Sequence, residues 1–182
     1  MSRSRLLFAL LLALFLAGGC AGRHLPPPAT VPSVDLVRYR GTWYELARLP
    51  MWFQRNCLQS QAEYMPLTET TMTVRNSCPT HEGNRLEARG VATVVDTASN
   101  AKLTVRFDNW FSRLFPRLTT GDYWILDLDP DYRTALVGTP DRRFLWILSR
   151  TPAVEQETFR RLVEQAGKLG FPTEELLRFN PE

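Results

Sequence analysis

The feature that most constrains the fold is a repeated alternation of apolar and polar side chains through the middle of the chain. In residues 102–108, for example, Leu103, Val105 and Phe107 lie on one face of an extended segment and polar side chains on the other. This period of two is typical of a β-strand with one buried face. We predict eight strands, at residues 42–49, 58–66, 70–77, 84–95, 101–108, 121–128, 133–138 and 144–149.

Eight short strands within about 110 residues predict an all-β domain, either a sandwich or an up-and-down antiparallel barrel. A single helix follows the last strand. Thr151 can cap this helix, Pro152 suits its first position and Gly170 ends it. Because the helix has one apolar stripe and an opposite face of mixed charge, we expect it to pack on the outside of the sheet and not on a membrane surface.

Residues 1–19 have the pattern of a signal peptide, with a basic start, an apolar run and two small residues. The alternative is a membrane-spanning helix, but the run of roughly 12 apolar residues is shorter than the ~20 that a bilayer requires. Residues 17–20 resemble the processing site of bacterial lipoproteins, in which Cys20 becomes the lipidated first residue. The resemblance implies an acyl anchor that palmitate would label, and Ala21 after the cysteine implies delivery to the outer membrane.

The stretch at 21–33 contains four prolines, which favour an extended tether with a reach of roughly 40 Å. We therefore divide the chain into a signal peptide at 1–19, a lipidated cysteine with its tether at 20–33, and one folded domain at 34–182. Of the 22 basic residues, two lie in the signal peptide, which leaves 20 basic against 19 acidic residues. Since no basic run remains, we do not expect a nucleic-acid partner.

The remaining cysteines are Cys57 and Cys78. Two cysteines in an exported domain most often form one disulfide, which is our prediction. Free buried thiols and a metal site are the alternatives. His81 lies near Cys78, but three candidate ligands without paired spacing are a weak basis for a metal centre.

Catalytic chemistry has little support in the sequence. His24 and His81 are the two histidines, and His24 falls in the predicted tether. The chain has neither a G-x-S-x-G nucleophile turn nor a glycine-rich phosphate loop. We therefore expect no enzyme activity, no catalytic residue, no cofactor and no metal.

Three short motifs carry a family resemblance. Gly41-Thr42-Trp43 opens the first strand, residues 129–132 read Asp-Pro-Asp-Tyr between the sixth and seventh strands, and Arg150 ends the eighth. Together with the following helix they resemble the lipocalins, and the lipoprotein signal makes the chain similar to the bacterial outer-membrane lipocalins, relatives of apolipoprotein D. The resemblance implies a closed eight-stranded barrel with one helix outside. It also implies that Gly41, Trp43 and Arg150 are structural residues of the barrel floor.

Ligand-binding candidates follow from the alternation and from the loops. The loops at 50–57, 79–83, 109–119 and 139–143 fall at the open end, and two of them are unusually apolar for exposed loops. These apolar loops form either a lid over the core or a mouth that admits lipid. The candidates are the inward-facing Tyr64, Met72, Val74, Leu103, Val105 and Phe107, the rim residues Trp52, Phe53, Trp110, Phe111 and Phe115, and the headgroup-selecting Arg113 and Arg117.

The function these features favour is a carrier or store for a fatty acid or lysophospholipid in envelope lipid maintenance, anchored in the outer membrane and facing the periplasm. An eight-stranded barrel is just wide enough for one small ligand. The alternatives are a structural envelope lipoprotein with a side-chain-filled barrel and, with less support, a lipid-modifying enzyme. A homodimer stays open.

Overall fold

The computed structural model describes residues 25–108 and 120–179. Residues 1–24, which contain the predicted signal peptide and Cys20, and residues 109–119, which contain part of the predicted rim, lie outside the described residues. The described strands are β1 Gly41–Arg48, β2 Gln61–Pro66, β3 Thr71–Pro79, β4 Arg85–Val94, β5 Lys102–Phe107, β6 Thr120–Leu128, β7 Thr134–Gly138, β8 Leu145–Ser149 and β9 Leu177–Arg178. The described α-helices are α1 Leu36–Tyr39 and α2 Gln156–Lys168.

The strands close into an antiparallel up-and-down barrel, as predicted. Each of β1 to β8 pairs with its neighbours in sequence, and β1 pairs with both β2 and β8, which closes the ring. The two-residue strand β9 adds to the edge of β1 at Ala47 and Arg48. All eight predicted strands are present, and the largest difference is at the start of β2, which begins at Gln61 instead of residue 58.

Two bulges change which side chains face the barrel interior. They lie between Glu45 and Ala47 in β1 and between Ile125 and Asp127 in β6. A bulge inserts one extra residue, so the alternation shifts by one position beyond it. Trp43 and Glu45 therefore face inward while Ala47 faces outward. A strict period of two does not predict this shift.

The apolar side chains form two clusters on opposite faces of the sheet. One lines the inside of the barrel and includes Trp43, Tyr64, Met72 and Leu103. The other lies between the outer face of the sheet and α2, and it includes Leu46, Leu126, Leu136, Ile147 and Leu162. Strand β7 is buried at every position because it contributes to both clusters.

Helix α2 packs against the outside of the sheet as predicted, but its start is corrected. The helix begins at Gln156, and Thr151 does not cap it, because the Thr151 hydroxyl donates to the carbonyl of Ala153. Residues 151–155 instead have irregular backbone, and the helix begins after them. At the other end the prediction is right, since Gly170 has a φ of +85° and follows the last helical turn.

Residues 25–33, which are predicted to belong to the tether, contact the barrel. Pro28 is buried, and the amide of Val31 donates to the carbonyl of Ile125 at 3.0 Å. The Arg142 guanidinium donates to the carbonyl of Pro26. The amides of an extended segment have no hydrogen-bond partners within that segment, so a bond to a carbonyl of the barrel stabilises it. The composition alone shows only the extended geometry.

Helix α1 was not predicted, and it closes the lower end of the barrel. The Asp35 carboxylate caps it by accepting from the amides of Val37 and Arg38. Its inner face buries Leu36 and Tyr39. A helix of four residues is too short to show an apolar periodicity in the sequence. Neither α-helix in the described ranges is long and apolar enough to cross a membrane.

Candidate ligand-binding site

The lower end of the barrel is closed by Trp43 and Arg150. The Trp43 side chain is fully buried, and its indole nitrogen donates to the carbonyl of Tyr39 at 2.9 Å. The Arg150 guanidinium carbon lies 3.9 Å from the centre of a Trp43 ring, which is a cation–π contact. Arg150 also donates to the carbonyls of Tyr132, Thr42 and Arg38. We call Trp43, Arg150 and the tyrosines described next the floor.

Gly41 makes this closure possible. Its φ is +95°, a backbone conformation that side chains other than glycine rarely adopt. A Cβ atom at this position would lie 3.4 Å from the Arg150 guanidinium. Gly41 therefore lets β1 begin directly beside the arginine.

Three buried tyrosines lie on the floor and form one hydrogen-bonded group. The hydroxyls of Tyr39 and Tyr123 are 2.8 Å apart, and the Tyr64 hydroxyl donates to that of Tyr123 at 3.0 Å. Burial raises the pKa of all three, that of Tyr64 to about 12, so they are neutral at physiological pH. The sequence predicted Tyr64 as a lining residue but did not predict the hydrogen-bonded group of tyrosines. The alternation in β6 places Tyr123 on the inner face and could have indicated this residue, whereas nothing in the sequence indicated Tyr39.

The predicted inward-facing residues lie together on the inner face of β2, β3 and β5. Tyr64, Met72, Val74, Leu103 and Val105 are buried in the interior cluster. Phe107 packs against the same cluster but is half-buried, because β5 ends there at the open end. An apolar wall above the floor is thus formed by Met72, Val74, Leu103, Val105 and Phe107, while Tyr64 belongs to the floor itself.

At the open end the aromatic side chains are exposed. Trp52 and Phe53 lie in a short 3₁₀ turn, with 79% and 48% of their surfaces exposed. The Phe53 ring is 5.5 Å from that of Phe144, which in turn lies 6.2 Å from Trp146. We call these four aromatic residues the rim. Of the other predicted rim and headgroup residues, Trp110, Phe111, Arg113, Phe115 and Arg117 lie outside the described residues.

A buried polar network supports the rim from below. Glu45 and Arg48 form an ion pair of 2.5 Å, and both are almost fully buried. Gln54 joins them, since its side-chain amide donates to the Glu45 carboxylate and its main-chain carbonyl accepts from the Arg48 guanidinium. Burial raises the pKa of Glu45, and the Arg48 charge partly offsets this shift. This network was not predicted, because Arg48 turns inward only through the bulge in β1.

Beside this network is an open cavity of about 380 Å³. Its lining residues are Arg48, Pro50, Met51, Trp52, Arg55 and Leu177. In this loop Met51 is buried while Trp52 is exposed.

The predicted disulfide between Cys57 and Cys78 is confirmed. The two Cα atoms are 5.5 Å apart, and the bond joins the rim loop to the end of β3. Cys57 precedes β2, so the alternation within that strand does not decide the direction of its side chain. His81 is exposed nearby, and the described ranges contain no group of three or more His, Cys, Asp or Glu residues that could hold a metal. The barrel interior is thus closed at its lower end by the floor and lined above it by apolar side chains.

Comparison with known proteins agrees with this geometry. The family described as "Lipocalin-like domain" matches residues 34–181. The chain is 40% identical over 149 residues to "Temperature-induced lipocalin-1" of Arabidopsis thaliana, which covers 80% of this chain and 78% of that protein. It is 34% identical over 172 residues to "Outer membrane lipoprotein Blc" of Vibrio cholerae, which covers 92% and 94%. Mouse "Apolipoprotein D" is 29% identical over 159 residues, covering 83% and 79%.

A solved structure, insecticyanin from the tobacco hornworm Manduca sexta, shares the fold with a TM-score of 0.66 at 18% identity, and the match covers 87% of both chains. At this identity the likeness speaks for the barrel alone. The family match, by contrast, spans nearly all of the described residues and includes the floor residues Trp43 and Arg150. The chain belongs to the lipocalin family.

Proposed function

We propose that this lipocalin binds a single-tailed lipid, a fatty acid or lysophospholipid, inside its barrel and acts as a carrier or store, not as a catalyst. The observation that carries the proposal is the apolar inner wall of β3 and β5 above a closed floor. The interior of an eight-stranded barrel is wide enough for one small ligand, and its apolar lining favours hydrocarbon. Lipocalins are typically binding proteins, which supports the same conclusion.

The ligand's tail enters first and its headgroup stays at the rim. Burial contributes about 0.8 kcal/mol per methylene, so ten enclosed methylenes give roughly 8 kcal/mol before association costs of several kcal/mol are subtracted. Micromolar affinity follows from this balance. We propose Trp52 and Phe53 as contacts at the rim, with Trp110, Phe111 and Phe115 from the neighbouring loop. Arg113 and Arg117 would select among headgroups.

The proposal includes a membrane anchor at Cys20. Relatives named "Outer membrane lipoprotein Blc" support acylation of this cysteine and a place in the outer membrane, where we expect the domain to face the periplasm and to serve lipid maintenance.

The test uses the soluble variant Cys20→Ser, titrated with fatty acids and lysolipids of graded chain length while tryptophan fluorescence is followed. Affinity should rise with chain length until the tail reaches the floor near Trp43. Without saturable binding, or with affinity indifferent to length, the structural lipoprotein is the better description. Turnover of a bound lipid would point instead to an enzyme.

A matched pair of variants links this binding to the interior wall. Val105→Glu places a charge on the inner face and should weaken every tail by tenfold or more, since an unpaired buried charge is costly. The control Val91→Glu lies on the outer face of β4, opposite Arg106 in the neighbouring strand. It should fold and bind like the parent protein. Equal loss in both variants would speak against an interior site.

A further inference from the structure

The three floor tyrosines have more hydrogen-bond donors than they use. Three hydroxyls carry three protons, but the group contains two hydrogen bonds, Tyr64 to Tyr123 and the one between Tyr123 and Tyr39. Each bond uses one proton, so one O–H is left over whichever of Tyr39 and Tyr123 donates. Among the described residues no further side chain or carbonyl accepts from this group.

The unused O–H is buried in apolar surroundings. Tyr39, Tyr64 and Tyr123 are 1%, 4% and 9% exposed. Their neighbours in the interior cluster include Met72, Val74, Leu103 and Ile125, whose side chains offer no acceptor. A buried donor without a partner is costly and is therefore normally satisfied. An oxygen atom of a ligand that reaches the floor would supply such an acceptor.

The surroundings favour a neutral acceptor over an anion. The floor contains the cation Arg150, but Trp43 lies across its face, and its donors point to three backbone carbonyls. A carboxylate or phosphate at the tyrosines would thus be buried without a cation bonded to it, which is unfavourable. The raised pKa values of the tyrosines have the same cause, because burial disfavours charge.

We propose that Tyr39, Tyr64 and Tyr123 form a binding subsite for a neutral oxygen at the inner end of the ligand. The preferred ligand is then a single-tailed lipid whose chain carries a hydroxyl or keto oxygen near its end, and not a plain hydrocarbon chain. This inference rests on the proposed function, in which the tail enters the barrel first. It adds a specificity at the floor that is independent of the headgroup.

The experiment compares two series of lysophosphatidylcholines, of 10 to 16 acyl carbons, with and without a hydroxyl on the terminal carbon. The bulky zwitterionic headgroup keeps the lipid from entering head first. At the length that reaches the floor, the hydroxylated lipid should bind the Cys20→Ser protein about fivefold more tightly, which is the effect of one typical hydrogen bond. At shorter lengths the hydroxyl lies unpaired among apolar side chains, so the hydroxylated lipid should bind more weakly than the plain one.

The variants assign the preference to the tyrosines. In the triple variant Tyr39→Phe, Tyr64→Phe, Tyr123→Phe the preference should disappear while plain chains still bind. Tyr44→Phe is the control, since Tyr44 lies between the inward-facing Trp43 and Glu45 and points out of the barrel. Thermal unfolding verifies that each variant is folded.

The outcomes separate this inference from the proposed function. Equal affinity for both series in the parent protein overturns the subsite while leaving lipid binding intact, whatever the variants do. A preference that survives in the folded triple variant overturns it as well. If plain chains show no saturable binding, the proposed function fails and the subsite with it.

Discussion

The closed and open ends of the barrel use aromatic residues in opposite ways. At the closed end Trp43 is fully buried, with its indole N–H bonded to Tyr39 and its face covered by Arg150. At the open end Trp52 is 79% exposed, although a buried ion pair lies beneath its loop. Trp43 therefore stabilises the fold, whereas Trp52 leaves apolar surface available to a ligand or a lipid surface.

The largest expected effect comes from emptying the floor. Trp43→Ala removes a fully buried indole together with its cation–π contact to Arg150. We expect a loss of about 3–5 kcal/mol in the free energy of unfolding. Trp52→Ala is the matched change at the rim and should alter stability by less than ~0.5 kcal/mol. Urea denaturation of the soluble protein measures both. Equal losses would abolish the distinction between the two ends.

The second effect concerns the covalent link at the open end. Replacing Cys57 and Cys78 by serine releases the rim loop from β3 and opens a loop with a sequence separation of 21. The chain-entropy model gives a loss of about 3 kcal/mol in unfolding free energy. Reduction of the parent protein should reproduce this loss, and a stability unchanged by either treatment would show that the rim does not depend on the disulfide.

The third prediction is a pH dependence that originates at the floor. Tyr64 has a folded pKa of about 12 against an ordinary value of 10.0. Between these values the unfolded chain releases its proton and the folded protein retains it, so stability falls as pH rises from 10 to 12. For Tyr64 alone the loss is roughly 2–3 kcal/mol. Urea denaturation across this range measures it, with Tyr64→Phe as the control that should lose less.

The smallest effect on stability belongs to the rim, where we expect changes in binding instead. Trp52→Ala and Phe53→Ala should leave the unfolding free energy nearly unchanged but reduce the rate at which lysolipid binds from vesicles. Stopped-flow tryptophan fluorescence measures this rate. A Leu67→Ala variant is the control, because Leu67 is 61% exposed but lies in the turn after β2 at the closed end. A similar slowing in that variant would contradict a role of the rim.

Much of the wall could be predicted, because period-two alternation directly reports which strand face is buried. Leu103, Val105 and Met72 follow this rule and lie where it places them. The rule fails at the bulges, where Arg48 turns inward to meet Glu45. It also gives no information on partners, so the tyrosine group on the floor was found only when β2, β6 and α1 were brought together.

The sequence by itself predicted the eight strands of the barrel and their order, the outer helix, the disulfide partners and the family, because each depends on local patterning or on short motifs. The two-residue strand β9 was not predicted. The tertiary structure alone decided where α2 begins, that residues 25–33 pack on the barrel, and which polar groups meet inside it. These features arise from contacts between distant segments, such as Val31 with Ile125 and Tyr39 with Tyr123. Such contacts depend on the closure of the sheet, which fixes distances and directions that no local pattern encodes.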